Sequence, residues 1–249
     1  MEKFDLQDEQ YSFPYHYLVS FQNNTLSISK SLPWGYEYLT YVGAIKKEIE
    51  KITPKSLLDV GCGDGYLINH LEMVDCKTLG VDLSQKAIKF AKAFGKEESF
   101  LCDSINKVDL EFDVVTLVEV LEHIPDSEID QFLQEVTKRV SIGGFLLISV
   151  PSTVLKLQKK HYRHYTEVVL EEQISKSSGL HKLRSYRVVS NSRFKSLLVK
   201  LIDNKFWTIK VPWILKLFYS VINYIDKRVT NENGRHIIAV YTNSLGLEY

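Results

Sequence analysis

Leu57-Leu58-Asp59-Val60-Gly61-Cys62-Gly63-Asp64-Gly65-Tyr66-Leu67 is the stretch on which the reading of this chain turns. Its first four residues read as a short buried strand, the glycines as a tight turn, and Tyr66 onward as a helix start. Glycines without a Cβ accept left-handed conformations and let a ligand approach the backbone, while the peptide N–H groups of the helix start face that ligand. Such a turn alone is a weak signal, because several nucleotide-binding folds use a related one. Two later stretches support it. Val81-Asp82 ends a second strand seventeen residues after Gly65, and Cys102-Asp103 ends a third. A carboxylate after the second strand is what a ribose diol requires, since its two oxygens accept from both hydroxyls.

Outward from this motif, strand-like runs at 56–60, 77–82, 98–102, 112–118 and 144–150 alternate with helix-like runs at 65–73, 84–94 and 127–140. Residues 36–52 give a preceding amphipathic helix that ends before Thr53-Pro54. Ser84 is placed to cap the second helix, Asp126 or Ser127 the third, and Gly143-Gly144 to end the third before the fifth strand. A helix at 166–178, a basic strand at 181–190 and a strand at 236–243 follow. The alternation predicts an α/β fold, a Rossmann-like, mostly parallel sheet with helices on both faces. In such sheets ligands bind at the carboxyl ends of the strands, where Asp82, Asp103, Glu119 and Pro151 fall.

The Gly-Cys-Gly-Asp-Gly turn with Asp59 before it resembles the class I S-adenosylmethionine-dependent methyltransferases. Leu117-Val-Glu-Val-Leu-Glu-His-Ile-Pro125 is similar to the fourth strand and following loop of their ubiquinone-biosynthesis-like branch. The resemblance covers roughly residues 36–190 and a last strand near 236–242. It implies a seven-stranded sheet whose last strand is antiparallel, S-adenosylmethionine as cofactor and S-adenosylhomocysteine as product. Carried over residue by residue, the backbone of Gly61, Cys62, Gly63, Asp64 and Gly65 borders the methionine and ribose. Asp59 holds the turn or the sulfonium end, Asp82 takes the ribose hydroxyls, Leu83 packs on adenine, and Asp103 with Ser104 receives the adenine amino group. Glu119 lies at the same edge.

Glu119-Val-Leu-Glu122-His123 is the candidate reaction centre. His123 suits a general base near neutrality, with Glu122 orienting it. The same residues also suit a divalent metal: Glu-x-x-Glu-His resembles the metal-binding run of small-RNA 2′-O-methyltransferases. That version takes Glu119, Glu122, His123 and a later histidine, His164, with His161 also in range. Lys156, Lys159, Lys160 and Arg163 accompany those histidines on a basic loop at 152–165, suited to an anionic group on the acceptor.

The hydrophobic content of 45% and charged content of 25% are ordinary for a globular chain. The overall net charge is zero but segregated. Residues 1–150 carry 14 Lys and Arg against 24 Asp and Glu, net −10, and residues 151–249 carry 17 against 7, net +10. Cys62, Cys76 and Cys102 lack metal-type spacing and read as reduced core thiols of a reducing compartment. The N-terminus shows no signal-peptide pattern, so a cytoplasmic location is expected, with peripheral attachment to the inner face of a membrane as an option.

The expected organisation is one methyltransferase domain over 1–249. It comprises an N-terminal extension or lid at 1–35 (with Tyr11, Phe13, Tyr15, His16, Tyr17, Phe21 and Trp34), a core at 36–191 and 235–249, and an amphipathic helical insertion at 192–234. In the insertion, Phe194, Leu197, Leu198, Leu201 and Ile202, then Ile214, Leu217, Phe218, Val221, Ile222 and Ile225, keep helical spacing. Lys195, Lys200, Lys205, Lys210, Lys216, Lys227 and Arg228 stand among them with Trp207 and Trp213 between. Basic amphipathic helices with tryptophans read as a membrane-surface element; packing on the sheet or on a second subunit would also bury their apolar faces. The leading functional expectation is O-methylation of a small-molecule, saccharide or lipid-linked acceptor. A metal-dependent RNA 2′-O-methyltransferase is the alternative, although no aromatic-plus-basic strand face suggests nucleic acid as a partner. A non-catalytic cofactor-binding or scaffold protein is the third reading. The sequence leaves the oligomeric state open.

Overall fold

The computed structural model describes residues 19–22, 25–28, 32–71, 73, 75–209, 211–226 and 229–243, with side chains from residue 35 onward except that of Glu98. Most of the 1–35 extension, including Tyr11, Phe13, Tyr15, His16 and Tyr17, lies outside the described residues, as do Lys210, Lys227 and Arg228; of Phe21 and Trp34 only the backbone is described. A short antiparallel pair, β1 (Val19–Gln22) and β2 (Thr25–Ile28), precedes helix α1 (Leu32–Ile52). The helix starts four residues earlier than the sequence suggests, with Pro33 in its first turn, where a missing N–H costs nothing.

The main sheet has seven strands in the order β5 (Phe100–Cys102), β4 (Lys77–Asp82), β3 (Ser56–Val60), β6 (Phe112–Val118), β7 (Val140–Pro151), β9 (Gly234–Thr242), β8 (His181–Ser190). The pairings from β5 to β7 are parallel, and β9 runs antiparallel between β7 and β8. Strand order reverses beside β3, with β4 on one side and β6 on the other, so a crevice opens at its carboxyl end.

Consecutive strand residues feed opposite faces, as the pleat requires. Leu57, Val114, Leu147 and Ile238 pack under α1, α2 (Tyr66–Asn69) and α3 (Gln85–Phe94) through Ile45, Ile49, Leu67, Ile68, Ile88 and Ala91. Leu58, Val115, Leu117, Ile148 and Ile237 pack on the other side under α4 (Ile129–Thr137) and α5 (Glu167–Ser178) through Leu133, Val136, Leu170 and Ile174. The doubly covered, mostly parallel sheet is the expected fold class.

Several local expectations change. Helix α2 is one turn long, because the His70 ring turns back to the Tyr66 carbonyl at 2.8 Å and stacks on its ring. Ser84 and Thr166 cap α3 and α5 through Ala87 N–H and Val169 N–H. Helix α4 has no side-chain cap: Asp126 accepts instead from Arg163. Gly143-Gly144 does not end that helix, which stops at Thr137. The pair lies within β7, where Gly143 takes a φ of 78° at a shift in register and both residues bond to Asn243. Of the cysteines, Cys62 is buried, Cys76 half-buried and Cys102 exposed, so the last is not a core thiol.

The insertion forms α6 (Arg193–Ile202) and α7 (Pro212–Asp226), with Pro212 at the helix start. Its inner residues Ile202, Phe218 and Ile222 gather with Tyr36 of α1. Lys195 is not a surface charge: its Nζ lies 2.8 and 2.7 Å from the Asp226 oxygens, which also accept from Ser190 N–H and Tyr36 Oη. Burial of this pair fixes both helices to the ends of β8 and α1. No helix among the described residues is long and apolar enough to cross a membrane.

Candidate active site

The glycine turn leaves β3 with Gly61, Gly63 and Gly65 at φ of 73°, 56° and 73°. All three are left-handed, where a Cβ is penalised. Space adds a second constraint: a Cβ on Gly61 would stand 2.6 Å from Val120 Cγ2, and one on Gly65 2.7 Å from the Phe100 ring. The turn is therefore pressed directly against the segment that follows β6. Gly61 N–H and Cys62 N–H both reach the Val81 carbonyl, at 2.7 and 3.1 Å. Asp82 completes the frame, one oxygen accepting from Gly63 N–H at 2.9 Å and the other from Ser84 N–H at 2.7 Å. An ionised carboxylate has about four acceptor sites, so these bonds orient it without using its capacity.

Asp59 lies beneath, buried, with Thr116 Oγ1 donating to it at 2.6 Å. Burial, with the Asp82 charge added, lifts its pKa to about 7 against the pull of the Thr116 bond. Asp64 accepts from Tyr66 N–H at 3.3 Å, and Cys62 is a buried thiol whose pKa burial pushes upward. Leu83 is exposed beside the ends of β4 and β5, its carbonyl 3.8 Å from Cys102 Sγ. Asp103 accepts from Ser104 N–H at 2.7 Å, and Ser104 caps the short turn that follows.

Two groups form at the end of β6. Glu119 takes a left-handed φ of 56°, unusual for a residue with a side chain. Its carboxylate accepts from Ser149 Oγ at 2.6 Å, and its second oxygen stands 3.0 Å from His236 Nδ1. That contact is close enough for charge attraction but not aligned as a regular hydrogen bond. The other nitrogen of His236 meets Glu37 Oε1 at 2.8 Å, which also accepts from Arg235, and Tyr41 lies on the imidazole. Burial opposes a charge on His236, but Glu119 and Glu37 outweigh it and raise its pKa to about 9; Glu37 in turn falls to about 2.

The second group is Glu122, His123 and His161, each offering a ligand atom within 4.8 Å of the others. His161 arrives on the loop after β7, whose base is closed by Thr153 N–H to the Tyr165 carbonyl and Tyr165 N–H to the Pro151 carbonyl, both 2.9 Å. Tyr162 N–H bonds the Glu122 carbonyl at 2.7 Å, and Arg163 reaches the Leu121 carbonyl and Asp126, so the loop is held over the turn at 121–123. Glu122 is almost fully buried. Desolvation, reinforced by Glu119, holds its pKa well above the carboxylate range. The metal set expected from spacing differs from this trio. Glu119 faces Ser149 and His236, and His164 stands behind His161, its Nε2 at 2.8 Å from His161 Nδ1 and its Nδ1 at 3.0 Å from the Leu155 carbonyl. His164 thus sets the orientation of His161. Lys160 faces both carboxylates.

Among the described residues, three buried side-chain polar atoms lack a hydrogen-bond partner, and two are here: Glu122 Oε2 and His236 Nδ1. His236 Nδ1 still faces the Glu119 carboxylate at 3.0 Å, so Glu122 Oε2 is the group left for a ligand to meet. His236, Glu37 and Ser149 did not stand out in sequence; the one signal is a histidine opening an otherwise apolar strand run, His236-Ile-Ile-Ala-Val240.

A family model described as a methyltransferase domain matches residues 37–184, more than half of the chain. The ubiquinone biosynthesis O-methyltransferase of Nitrosomonas europaea is 33% identical over 120 residues, covering 45% of this chain and 48% of that protein. The namesake from Pelagibacter ubique is 28% identical over 188 residues, 70% of this chain and 75% of that one. The chain thus spans about half the length of most curated relatives it matches. Among solved structures, magnesium protoporphyrin IX methyltransferase from Synechocystis PCC 6803 with bound S-adenosylmethionine superposes with a TM-score of 0.57 over 96% of both chains at 16% identity, a likeness of fold. The chain belongs to the class I S-adenosylmethionine-dependent methyltransferases. Methyltransferases of that class use S-adenosylmethionine as the methyl donor.

Proposed function

We propose that the chain O-methylates a small hydroxylated acceptor related to quinone precursors or carried on a saccharide or lipid. The supporting observation is the Glu122–His123–His161 group on the segment that follows β6, the same segment whose Val120 side chain packs against the glycine turn at Gly61. The cofactor supplies an electrophilic methyl on sulfonium; the protein's part is alignment and activation of the nucleophile. Gly61, Cys62, Gly63, Asp64 and Gly65 present backbone to it. Asp82, already oriented by two backbone donors, receives the ribose diol, Leu83 offers an apolar face to adenine, and Asp103 with Ser104 accepts the amino group. Asp59 and Glu119 border the methionine end. His123, its Nδ1 beside the Lys160 carbonyl at 3.2 Å and its Nε2 toward Glu122 at 3.8 Å, takes the acceptor proton.

A second reading is favoured by the unpartnered Glu122 Oε2. Glu122, His123 and His161 suit a divalent cation of the Mg²⁺, Mn²⁺ or Zn²⁺ type, which would lower the acceptor hydroxyl's pKa directly. Methyl transfer from labelled cofactor to a panel of catechols, phenols and a lipid extract tests the function. His123→Ala should lower turnover at least a hundredfold with cofactor affinity unchanged. A chelator that abolishes activity selects the metal reading, and indifference to it selects the base. Normal turnover by the variant would remove His123 from both.

A further inference from the structure

We propose that α6, α7 and the turn between them form a docking surface for an anionic lipid bilayer. The inner side of this pair is already satisfied by Ile202, Phe218 and Ile222. Its outer side is apolar as well. Phe194, Leu197 and Leu201 recur at i, i+3 and i+7 along α6, Phe206 and Trp207 occupy the turn, and Trp213 and Leu217 continue on α7, all exposed, with Phe206 at 75% and Trp213 at 69%. A core-facing helix needs one apolar stripe, and none of the described residues covers the second.

The charges choose the occupant. Arg193, Lys200, Lys205 and Lys216 are exposed around these residues. Of the acids between 193 and 226, Asp226 is committed to the buried Lys195 and Asp203 accepts from Thr208 within the turn. A basic rim around exposed tryptophan, phenylalanine and leucine matches the headgroup region of an anionic leaflet, with lysine stems lying along apolar surface and indoles at the interface. A second copy of the chain fits poorly, since a twofold contact would press two basic rims together.

Placement joins this surface to the reaction centre. Helix α6 begins at the carboxyl end of β8, α7 ends three residues before the described part of the return to β9, and β9 brings His236 to Glu119 at the same edge of the sheet. A bilayer on α6 and α7 would therefore adjoin the acceptor side of the site. That an acceptor arrives from the lipid phase rests on the proposed O-methylation; the docking itself does not.

The test is co-sedimentation of the full chain with phosphatidylglycerol and with phosphatidylcholine vesicles at rising salt. Binding to the anionic vesicles that weakens with salt, and falls at least tenfold in Lys200→Glu/Lys216→Glu and in Trp207→Ser/Trp213→Ser, is the expected result. Unchanged thermal melting and S-adenosylhomocysteine affinity show that both variants fold. No binding to anionic vesicles, equal binding to zwitterionic ones, or self-association that the tryptophan variant abolishes would each overturn the proposal. Vesicle binding without cofactor binding would instead indict the methyltransferase reading alone.

Discussion

Replacing His236 by Gln should flatten the alkaline limb of the stability profile. His236 is buried between Glu119 and Glu37, and its pKa in the fold is about 9 against 6.5 in the open chain. A raised histidine contributes stability that is complete below pH 6.5 and is lost as pH rises through about 9. About 2.5 units at 1.36 kcal/mol per unit gives roughly 3 kcal/mol. The depressed pKa of Glu37 is the same attraction seen from its partner, so the two are not added. Urea unfolding of wild type and His236→Gln from pH 6 to pH 10 isolates the contribution, because the other alkaline titrations are common to both. The difference between the proteins should shrink by roughly 3 kcal/mol across that range. A difference constant with pH would refute the charged imidazole and the bracketing carboxylates with it.

Gly61→Ala meets both a φ of 73° and Val120 Cγ2 at 2.6 Å; a loss of about 1–3 kcal/mol in denaturant titration is expected, with cofactor affinity lowered at least tenfold. Lys195→Met leaves the buried Asp226 without its cation and should cost about 3–5 kcal/mol, seen as a lowered urea midpoint. Asp59 loses stability in the same direction of pH as His236, but for the opposite reason: its charge is buried without a cation, whereas that of His236 is bracketed by carboxylates. The Asp59 pKa of about 7 exceeds the open-chain 3.8, so its ionisation subtracts stability as pH rises from about 4 to 7. Asp59→Asn should therefore gain up to about 4 kcal/mol over wild type at pH 8 compared with pH 4, and equal gains at both would contradict the buried-acid account.

The parts of the site legible in the sequence are those made by local chain geometry. Gly61, Gly63 and Gly65 carry their conformational meaning in their identity, and Asp82 is fixed by its place after a strand. Parts assembled over distance were not legible. His236 meets Glu37 because β9 inserts antiparallel beside β7, and neither residue has a neighbour in sequence that predicts the other. His161 and His164 sit three residues apart on one loop, and only the folded loop shows that His161 joins Glu122 and His123 while His164 braces it. Asp126 reads as a helix cap until Arg163 takes it. Gly143-Gly144 reads as a helix stop, though the same permissiveness serves an irregular strand. The lysines of the insertion read alike, yet Lys195 is spent inside the fold.

Calorimetric titration of S-adenosylhomocysteine into the full chain, with Asp82→Ala beside it, measures the central claim most directly. Charge-assisted bonds of about 1.5–3 kcal/mol each imply micromolar binding by wild type and a loss of tenfold or more in the variant. A folded wild-type protein that takes up no S-adenosylhomocysteine, or a variant that binds it equally well, would contradict the account.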